Sequence, residues 1–366
     1  MISPQEQHEF VEAGPGTPAG TYLRSFWQPV ALSTEIGAGL HRLTIMHEDL
    51  VAYREGQRIR LLGNRCPHRG TFLHTGRRRG GGLQCCYHGW AFDGSGQCIA
   101  QPCEPTDSTF RSRMRIASYP TEEVHGLVFA YMGPGAPPPL PRPEQWQRAD
   151  GIHKADVVRW NCNYFQCLEN NPDPQHTAFV HESMKLWTRQ VPQLRIDETE
   201  YGILMTAVRD GYTRYTHFRL PNVLTFTNPY WQPPTTVTSW VVPVDDTHAF
   251  TFRSFFTPTP TALVRLKVHL AWRFLRGRLD TIIEEDKIAQ EGQGVIADRT
   301  DEHLATSDRG IIILRRRFQQ GMRAAMTPPS PAPPPGSATP MAPATPPRPV
   351  TPPAPAREPA TASVHH

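Results

Sequence analysis

Four residues with soft or borderline metal-binding side chains stand in two short groups in the first quarter of this 366-residue chain. Cys66-Pro67-His68 is followed, after sixteen residues, by Cys85-Cys86-Tyr87-His88, a spacing of C-x-H-x16-C-x2-H. A two-iron, two-sulfide cluster can be held by two thiolates on one iron and two imidazoles on the other. Each group supplies one of each, so two loops can clamp one cluster. Glycine follows each histidine, at Gly70 (after Arg69) and Gly89, which lets a loop bend closely around its ligand. Neutral imidazoles in place of thiolates raise the reduction potential well above that of a four-cysteine site. A structural zinc site is the plain rival. Zinc patterns pair Cys with Cys and His with His at two- to five-residue spacings, which this arrangement fits poorly. Cys86, Cys98, Cys103, Cys162 and Cys167 read as small apolar core residues.

A second constellation lies downstream. Asp173, His176 and His181 give D-x2-H-x4-H. Two histidines and one carboxylate with open neighbouring positions form the facial triad of non-haem Fe(II) oxygenases, which activates O₂ beside substrate. On a straight helix five residues turn by about 500°, leaving the two histidines about 140° apart. They can share an ion only if the helix bends or ends between them. Taken without the upstream motif, they read as two unconnected surface histidines. The third ligand must come from far along the chain. Around residues 282–291, on a helix, Leu279, Ile282, Ile283, Asp286, Ala289 and Gln293 share one face, and Asp286 is its single carboxylate. A buried carboxylate is costly without a partner, and a metal is a good one. The bland alternative is a half-exposed acid at the stripe's edge, and Glu285 beside it offers a competing register.

The elements that must carry these groups fall into two parts. Before a proline cluster at 133–143, short β-like runs (50–53, 59–62, 83–86 and 127–131) alternate with glycine-rich turns, which predicts a small antiparallel β domain over 22–134. Beyond it, strand-like stretches at 235–242 and 249–256 and helix-like ones at 177–184 and 279–296 predict an α+β domain over 135–326, helices packed on an antiparallel sheet. Residues 327–366 hold 15 of the 39 prolines, and such a segment is expected to be a disordered, partly polyproline-II tail. A net charge of +4 does not suit a nucleic-acid binder, and Arg77-Arg78-Arg79 reads as a solvated turn. The apolar run 311–314 stops at three arginines, so no membrane span is expected. The N-terminus lacks the pattern of a signal peptide, which places the protein in the cytoplasm. Seven cysteines, an odd number, argue against a disulfide framework.

With these motifs the chain resembles the Rieske oxygenases, the aromatic ring-hydroxylating oxygenase α subunits, over about residues 21–318. Residues 22–30 (YLRSFWQPV) are similar to the family's entry to its Rieske domain. The stretch from Glu285-Asp286 through Gln290-Glu291, then 298–304 and Ser307-Asp308, resembles the phthalate-dioxygenase-like branch, in which the Asp of a Gln/Glu-Asp pair is the iron ligand and His303 belongs to the surrounding signature. The resemblance implies a helix-grip-like catalytic domain after the Rieske domain. It implies a 2Fe–2S cluster on Cys66, His68, Cys85 and His88, and a mononuclear Fe(II) on His176, His181 and Asp286, with O₂ as co-substrate. It also implies a separate NAD(P)H-dependent reductase or ferredoxin as electron donor, since the chain carries no flavin or nucleotide motif. Trimers or stacked trimers follow, in which Asp173 bridges His176 to a Rieske histidine, His68 or His88, of the adjacent subunit. From sequence alone Asp173 also reads as a helix N-cap ahead of Pro174. The expected substrate is a small aromatic acid, its carboxylate met by an arginine such as Arg189 or Arg209. The expected reaction is ring dioxygenation, with monooxygenation or O-demethylation as the alternative. A Rieske electron carrier with an appended binding domain is the rival from another class, and the downstream triad speaks against it.

Overall fold

Glycine-rich turns and short β-branched runs make the first third of the chain a set of small antiparallel sheets. The computed structural model describes residues 2–181, 190–209, 212–228 and 233–327. The segment from 328 onwards, expected from composition to be a disordered tail, lies outside the described residues. Two short helices, α1 (Pro4–Val11) and α2 (Pro18–Arg24), lead into strands β1 (Gln28–Leu32), β2 (His41–Ile45), β3 (Glu48–Glu55), β4 (Arg58–Gly63), β5 (Arg77–Arg79) and β6 (Gly82–Gln84). After these come β7 (Ala91–Phe92), β8 (Cys98–Ala100), β9 (Ser118–Tyr119), β10 (Thr121–Val124) and β11 (Leu127–Ala130). They assemble as β2-β3-β4-β9, β5-β6-β7-β8 and β1-β11-β10. The arginine run is a strand and not a turn. Gly80 and Gly81, both with positive φ, make the reversal, and the exposed β5 pairs with β6.

A short helix α3 (Glu144–Gln147) precedes β12 (Gly151–Trp160), and α4 (Tyr164–Asn170) follows it. Then come β13 (Gln193–Thr199), β14 (Gly202–Arg209), β15 (Tyr212–Arg219), β16 (Val223–Asn228), β17 (Thr235–Pro243) and β18 (Ala249–Pro258). These form one antiparallel seven-stranded sheet, β12-β18-β17-β16-β15-β14-β13. Helix α5 (Ala262–Glu291) crosses this sheet, and α6 (Arg309–Met326) closes the fold against α2. The α+β class and the order of small β part then sheet-plus-helices part agree with expectation. Helix α5 starts seventeen residues earlier than the apolar stripe predicts and stops at Glu291, so Gln293 is exposed and outside it, while Gln290 is buried in its place. The early start escapes pattern reading because Leu263, Leu266, Leu270 and Phe274 are exposed and so give no one-sided contrast. Of the helix expected over 177–184, the described part holds a 3-10 turn at His176–Ala178 that does not continue to His181, and residues 182–189 lie outside the described set.

Period-two alternation gives the large sheet two distinct faces. Trp240 and Phe252, opposite one another on β17 and β18, turn towards the small sheets, where Trp240 meets Phe129 edge-on with Trp146 beside it. Their neighbours Val237 and Phe255 turn the other way, onto Leu279 of α5. The small sheets therefore share a core with the large one, and Met46 and His47 donate backbone hydrogen bonds across to Pro243 and Val244.

Helix α4 is buried along its length, so its polar side chains need internal partners. Asn163 caps it by accepting from the Phe165 N–H. Gln166, 1% exposed, donates to the carbonyls of Gln290 (2.9 Å) and Gly294 (3.0 Å) and accepts from the Ala297 N–H (2.8 Å). Glu169 accepts from Arg299 (2.9 Å) and Arg315 (2.5 Å), and Arg315 also grips Glu302. Two guanidinium groups thus neutralise two carboxylates under α4. Replacing Gln166 with Leu strands two carbonyls and one N–H in the interior. A loss of about 3 kcal/mol is expected, measured as a lower urea midpoint than wild type; an unchanged midpoint would show that this amide does not hold α5 against α4.

Candidate metal centres

The first two ligand groups sit on loops with the same backbone plan. In one, the Cys66 N–H donates to Thr71 O (2.9 Å) and the Gly70 N–H donates to Cys66 O (2.9 Å). In the other, the Cys85 N–H donates to Trp90 O (2.8 Å) and the Gly89 N–H donates to Cys85 O (3.2 Å). Both glycines have positive φ, 76° and 72°, so each loop turns back on itself four residues after its cysteine. The loops join β4 to β5 and β6 to β7, which brings their tips together. Cys66 and Cys85 are each 2% exposed, and their thiols interact. The His68 and His88 ring centroids stand 4.5 Å apart. His68 stacks flat on the buried Trp90 at 4.7 Å, and Tyr87 packs against His88. Burial pushes the Cys66 thiol up to about 11, against the pull of backbone N–H groups of His68 and Arg69 on its sulfur. A thiol in this setting ionises readily only when a cation takes the proton's place. Two of the remaining cysteines depart from the core reading. Cys86 and Cys103 are exposed, Cys86 on the outside of its loop and Cys103 against the His88 carbonyl, whereas Cys98, Cys162 and Cys167 are buried.

The second constellation forms at the end of α4. Asp173 caps the 3-10 turn, its carboxylate accepting from the N–H groups of Gln175 (3.0 Å) and His176 (3.4 Å). The turn ends at Ala178, so the chain leaves helical geometry before His181 and the angular obstacle between the two histidines disappears. One ligand atom each from His176, His181 and Asp286 lies within 4.8 Å of the others. Oδ1 of Asp286 is 3.5 Å from His176 Nε2 and 3.6 Å from His181 Nε2. Nδ1 of His176 faces the backbone carbonyl of Asp173, and Nδ1 of His181 lies 3.3 Å from Glu285 Oε2. Both partners accept, so each neutral ring carries its proton on Nδ1 and turns the Nε2 lone pair towards Asp286. Asp286 Oδ1 is buried and accepts no hydrogen bond. Three lone pairs therefore converge in a low-dielectric pocket, an arrangement that a bound cation turns from repulsive to attractive. Donors that would share one ion stand about 3 Å apart, close to the two distances from Asp286 Oδ1. The residues fit a mononuclear metal.

The electrostatics point the same way. Burial pushes the Asp286 carboxyl up to about 6, opposed by His181 and by a hydrogen bond from Asn170. Burial, with His181 adding to it, pushes His176 down to about 4, so its ring stays neutral and able to ligate at neutral pH. A cleft of about 250 Å³ opens onto the three residues. Its walls are apolar at Leu224, Phe226, Val237, Val241, Phe255 and Leu279, and polar at Asn170, Thr251 and Ser239. Arg209, Arg214 and Arg253 also reach it. Arg253 is engaged in a bidentate bond with Asp156, its cross-strand partner, at 2.7 Å on both arms. Arg189 lies outside the described residues.

Comparison with known proteins places this geometry. The family model "Rieske [2Fe-2S] domain" matches residues 26–120. The 5,5'-dehydrodivanillate O-demethylase oxygenase subunit of Sphingobium sp. (strain NBRC 103272 / SYK-6) is 32% identical over 88% of this chain and 81% of its own length. The chain belongs to the oxygenase subunits of the Rieske non-haem iron enzymes. The phenoxybenzoate dioxygenase subunit alpha of Ectopseudomonas oleovorans is 35% identical over 83% of this chain and 82% of its own. The terminal oxygenase of carbazole 1,9a-dioxygenase from Novosphingobium sp. KA1 shares the fold, with a TM-score of 0.72 at 22% identity over 88% of this chain and 98% of its own. This oxygenase accordingly uses a Rieske cluster and a mononuclear iron to activate O₂.

Sequence reasoning reached the residues with metal-binding side chains and missed their supports. Gln166, Glu169 and Arg315 carry no motif; the one available signal was a cluster of polar residues in an otherwise apolar run, 164–170. Arg253 and Arg214 alternate with apolar residues on strands and look like solvent-facing positions until the sheet's covered face is known. His303, in the expected signature, is exposed. The loop plan generates a sharp test. A Cβ on Gly89 adds a 3.1 Å contact with Pro102 to the strain of positive φ, whereas one on Gly70 meets open space. Gly89→Ala is expected to lower cluster absorbance per chain much more than Gly70→Ala, and equal losses would remove the packing argument.

Proposed function

We propose that Cys66, His68, Cys85 and His88 hold the Rieske cluster, that His176, His181 and Asp286 hold the mononuclear iron, and that the substrate is a small aromatic acid. The observation that carries the reading is the convergence of three lone pairs at the floor of an apolar cleft whose rim includes Arg209 and Arg214. The cleft walls take a flat ring, and a guanidinium on one side meets a carboxylate by charge-assisted hydrogen bonds. When bound, a cluster would supply electrons one at a time and an iron would supply an open site for O₂ chemistry beside substrate. The chain's own part is to keep the His176 imidazole neutral, to exclude water with its apolar walls and to fix the ring against the metal. Ring dioxygenation is the first reading of the reaction. O-demethylation is the second, favoured by the name of the dehydrodivanillate relative. The Rieske domain spans 22–134 and the catalytic domain 135–326 in this proposal.

Electrons come from a separate reductase or ferredoxin, as the oxygenase–ferredoxin complex of carbazole 1,9a-dioxygenase suggests by analogy. We further assign the chain to a cytoplasmic homotrimer; no helix among the described residues is long and apolar enough to cross a membrane. In that assembly the carboxylate of Asp173, held above the usual range by burial, links His176 to a Rieske histidine of the neighbouring subunit. Within one chain its nearer role is the cap, with the carboxylate 3.9 Å from His176 Nδ1.

Oxygen uptake with a surrogate reductase, over a panel of benzoates and methoxybenzoates, tests the substrate class. Uptake that depends on a benzoate and yields a ring diol is expected, formaldehyde release would select demethylation, and no uptake with any acid would overturn the assignment. His176→Ala is expected to keep the cluster spectrum and lose iron and turnover. Asp173→Asn separates cap from bridge, because Asn caps about as well as Asp. The bridging role predicts a folded, iron-loaded protein whose reduced cluster reoxidises far more slowly in stopped flow with substrate and O₂. Wild-type reoxidation would leave Asp173 as a cap.

A further inference from the structure

We propose that Glu285 is the positioning residue for His181, fixing its tautomer and aiming its Nε2 at the metal; the inference rests on the mononuclear-iron reading above. The two histidines are anchored differently. His176 lies in the 3-10 turn, and its Nδ1 is taken by a carbonyl of the same turn, that of Asp173, three residues back. Its direction is set locally. His181 lies beyond the end of that turn, and its side chain is buried at 10% exposure. Helix α5 brings a carboxylate to its Nδ1.

Successive residues on a helix point about 100° apart. Asp286 and Glu285 use that step to reach the two nitrogens of one ring. Asp286 Oδ1 lies 3.6 Å from Nε2, and Glu285 Oε2 lies 3.3 Å from Nδ1. The carboxylate on Nδ1 accepts its proton, keeps the lone pair on Nε2 and raises the basicity of that nitrogen. The same geometry excludes Glu285 as a substitute for Asp286 in the coordination sphere. Its oxygen lies on the far side of the ring from Nε2, so one ion cannot reach both. Glu285 is half-buried, its side chain 18% exposed, which leaves the bond weakly screened. The acidic pair therefore divides its labour, one carboxylate on the metal and one on the ligand behind it.

The test is metal binding to protein stripped of its mononuclear iron by a chelator, with cluster absorbance as the check on folding. Co(II) is the probe, its affinity measured by competition and its coordination by the visible bands of the bound ion. Glu285→Ala is expected to weaken Co(II) by about 10- to 100-fold, the usual effect of removing such a partner, and to alter the bands. Glu285→Gln is expected to stay within a few-fold of wild type, because its amide oxygen still accepts the Nδ1 proton. Unchanged affinity in Glu285→Ala would overturn the proposal, and so would a Gln variant as weak as Ala, which would make Glu285 a ligand. Asp286→Asn is expected to abolish binding. If it binds Co(II) as wild type does, the site itself is misassigned and the inference falls with it.

Discussion

The burial of α4 is the constraint on which the metal region depends. Six of the helix's seven residues are buried, and their polar groups must be satisfied internally. Gln166 does so by binding the end of α5, and Glu169 by binding Arg299 and Arg315. Breaking such a buried ionic cluster leaves an uncompensated charge and is far more harmful than replacing all of it. The helix that ends just before His176 is thereby locked to the helix that carries Asp286. Ligands separated by more than a hundred residues in sequence are held in one region in part because Gln166 of α4 finds its partner at the end of α5.

Two charged groups at the cleft are accommodated in different ways. Arg253 and Asp156 cancel one another across adjacent strands. Asp286 keeps one oxygen without a hydrogen bond, and burial raises its carboxyl. The desolvation that would normally exclude a carboxylate from such a place becomes the driving force for a dication to occupy it.

Much of this was legible in the residues. The C-x-H and C-x2-H groups lie on loops with matching hydrogen bonds, and D-x2-H-x4-H together with an apolar stripe led to the three residues that the structure gathers. Asp286 could be told from Glu285 because a helix shows its buried side as a period. The outer half of α5 could not be delimited, since its exposed leucines erase that period. The 3-10 turn at His176 was equally hidden, because a run of helix-compatible residues after Pro174 carries no mark of where the turn ends before His181. Glu285's bond to His181 links positions 104 apart, and nothing in local pattern encodes such a pair.

The alternation of the large sheet has an evolutionary consequence. Every residue that β16, β17 and β18 contribute to the cleft is separated by one position from the next: Leu224, Phe226 and Asn228; Val237, Ser239 and Val241; Thr251, Arg253 and Phe255. Of the residues between them, Trp240 and Phe252 serve the core shared with the small sheets. Cleft shape can therefore drift one side chain at a time without disturbing the ladder register or the opposite face. A lineage built this way can change the molecule it accepts while its redox apparatus stays fixed, so diversification proceeds by repainting one wall of an otherwise constant room.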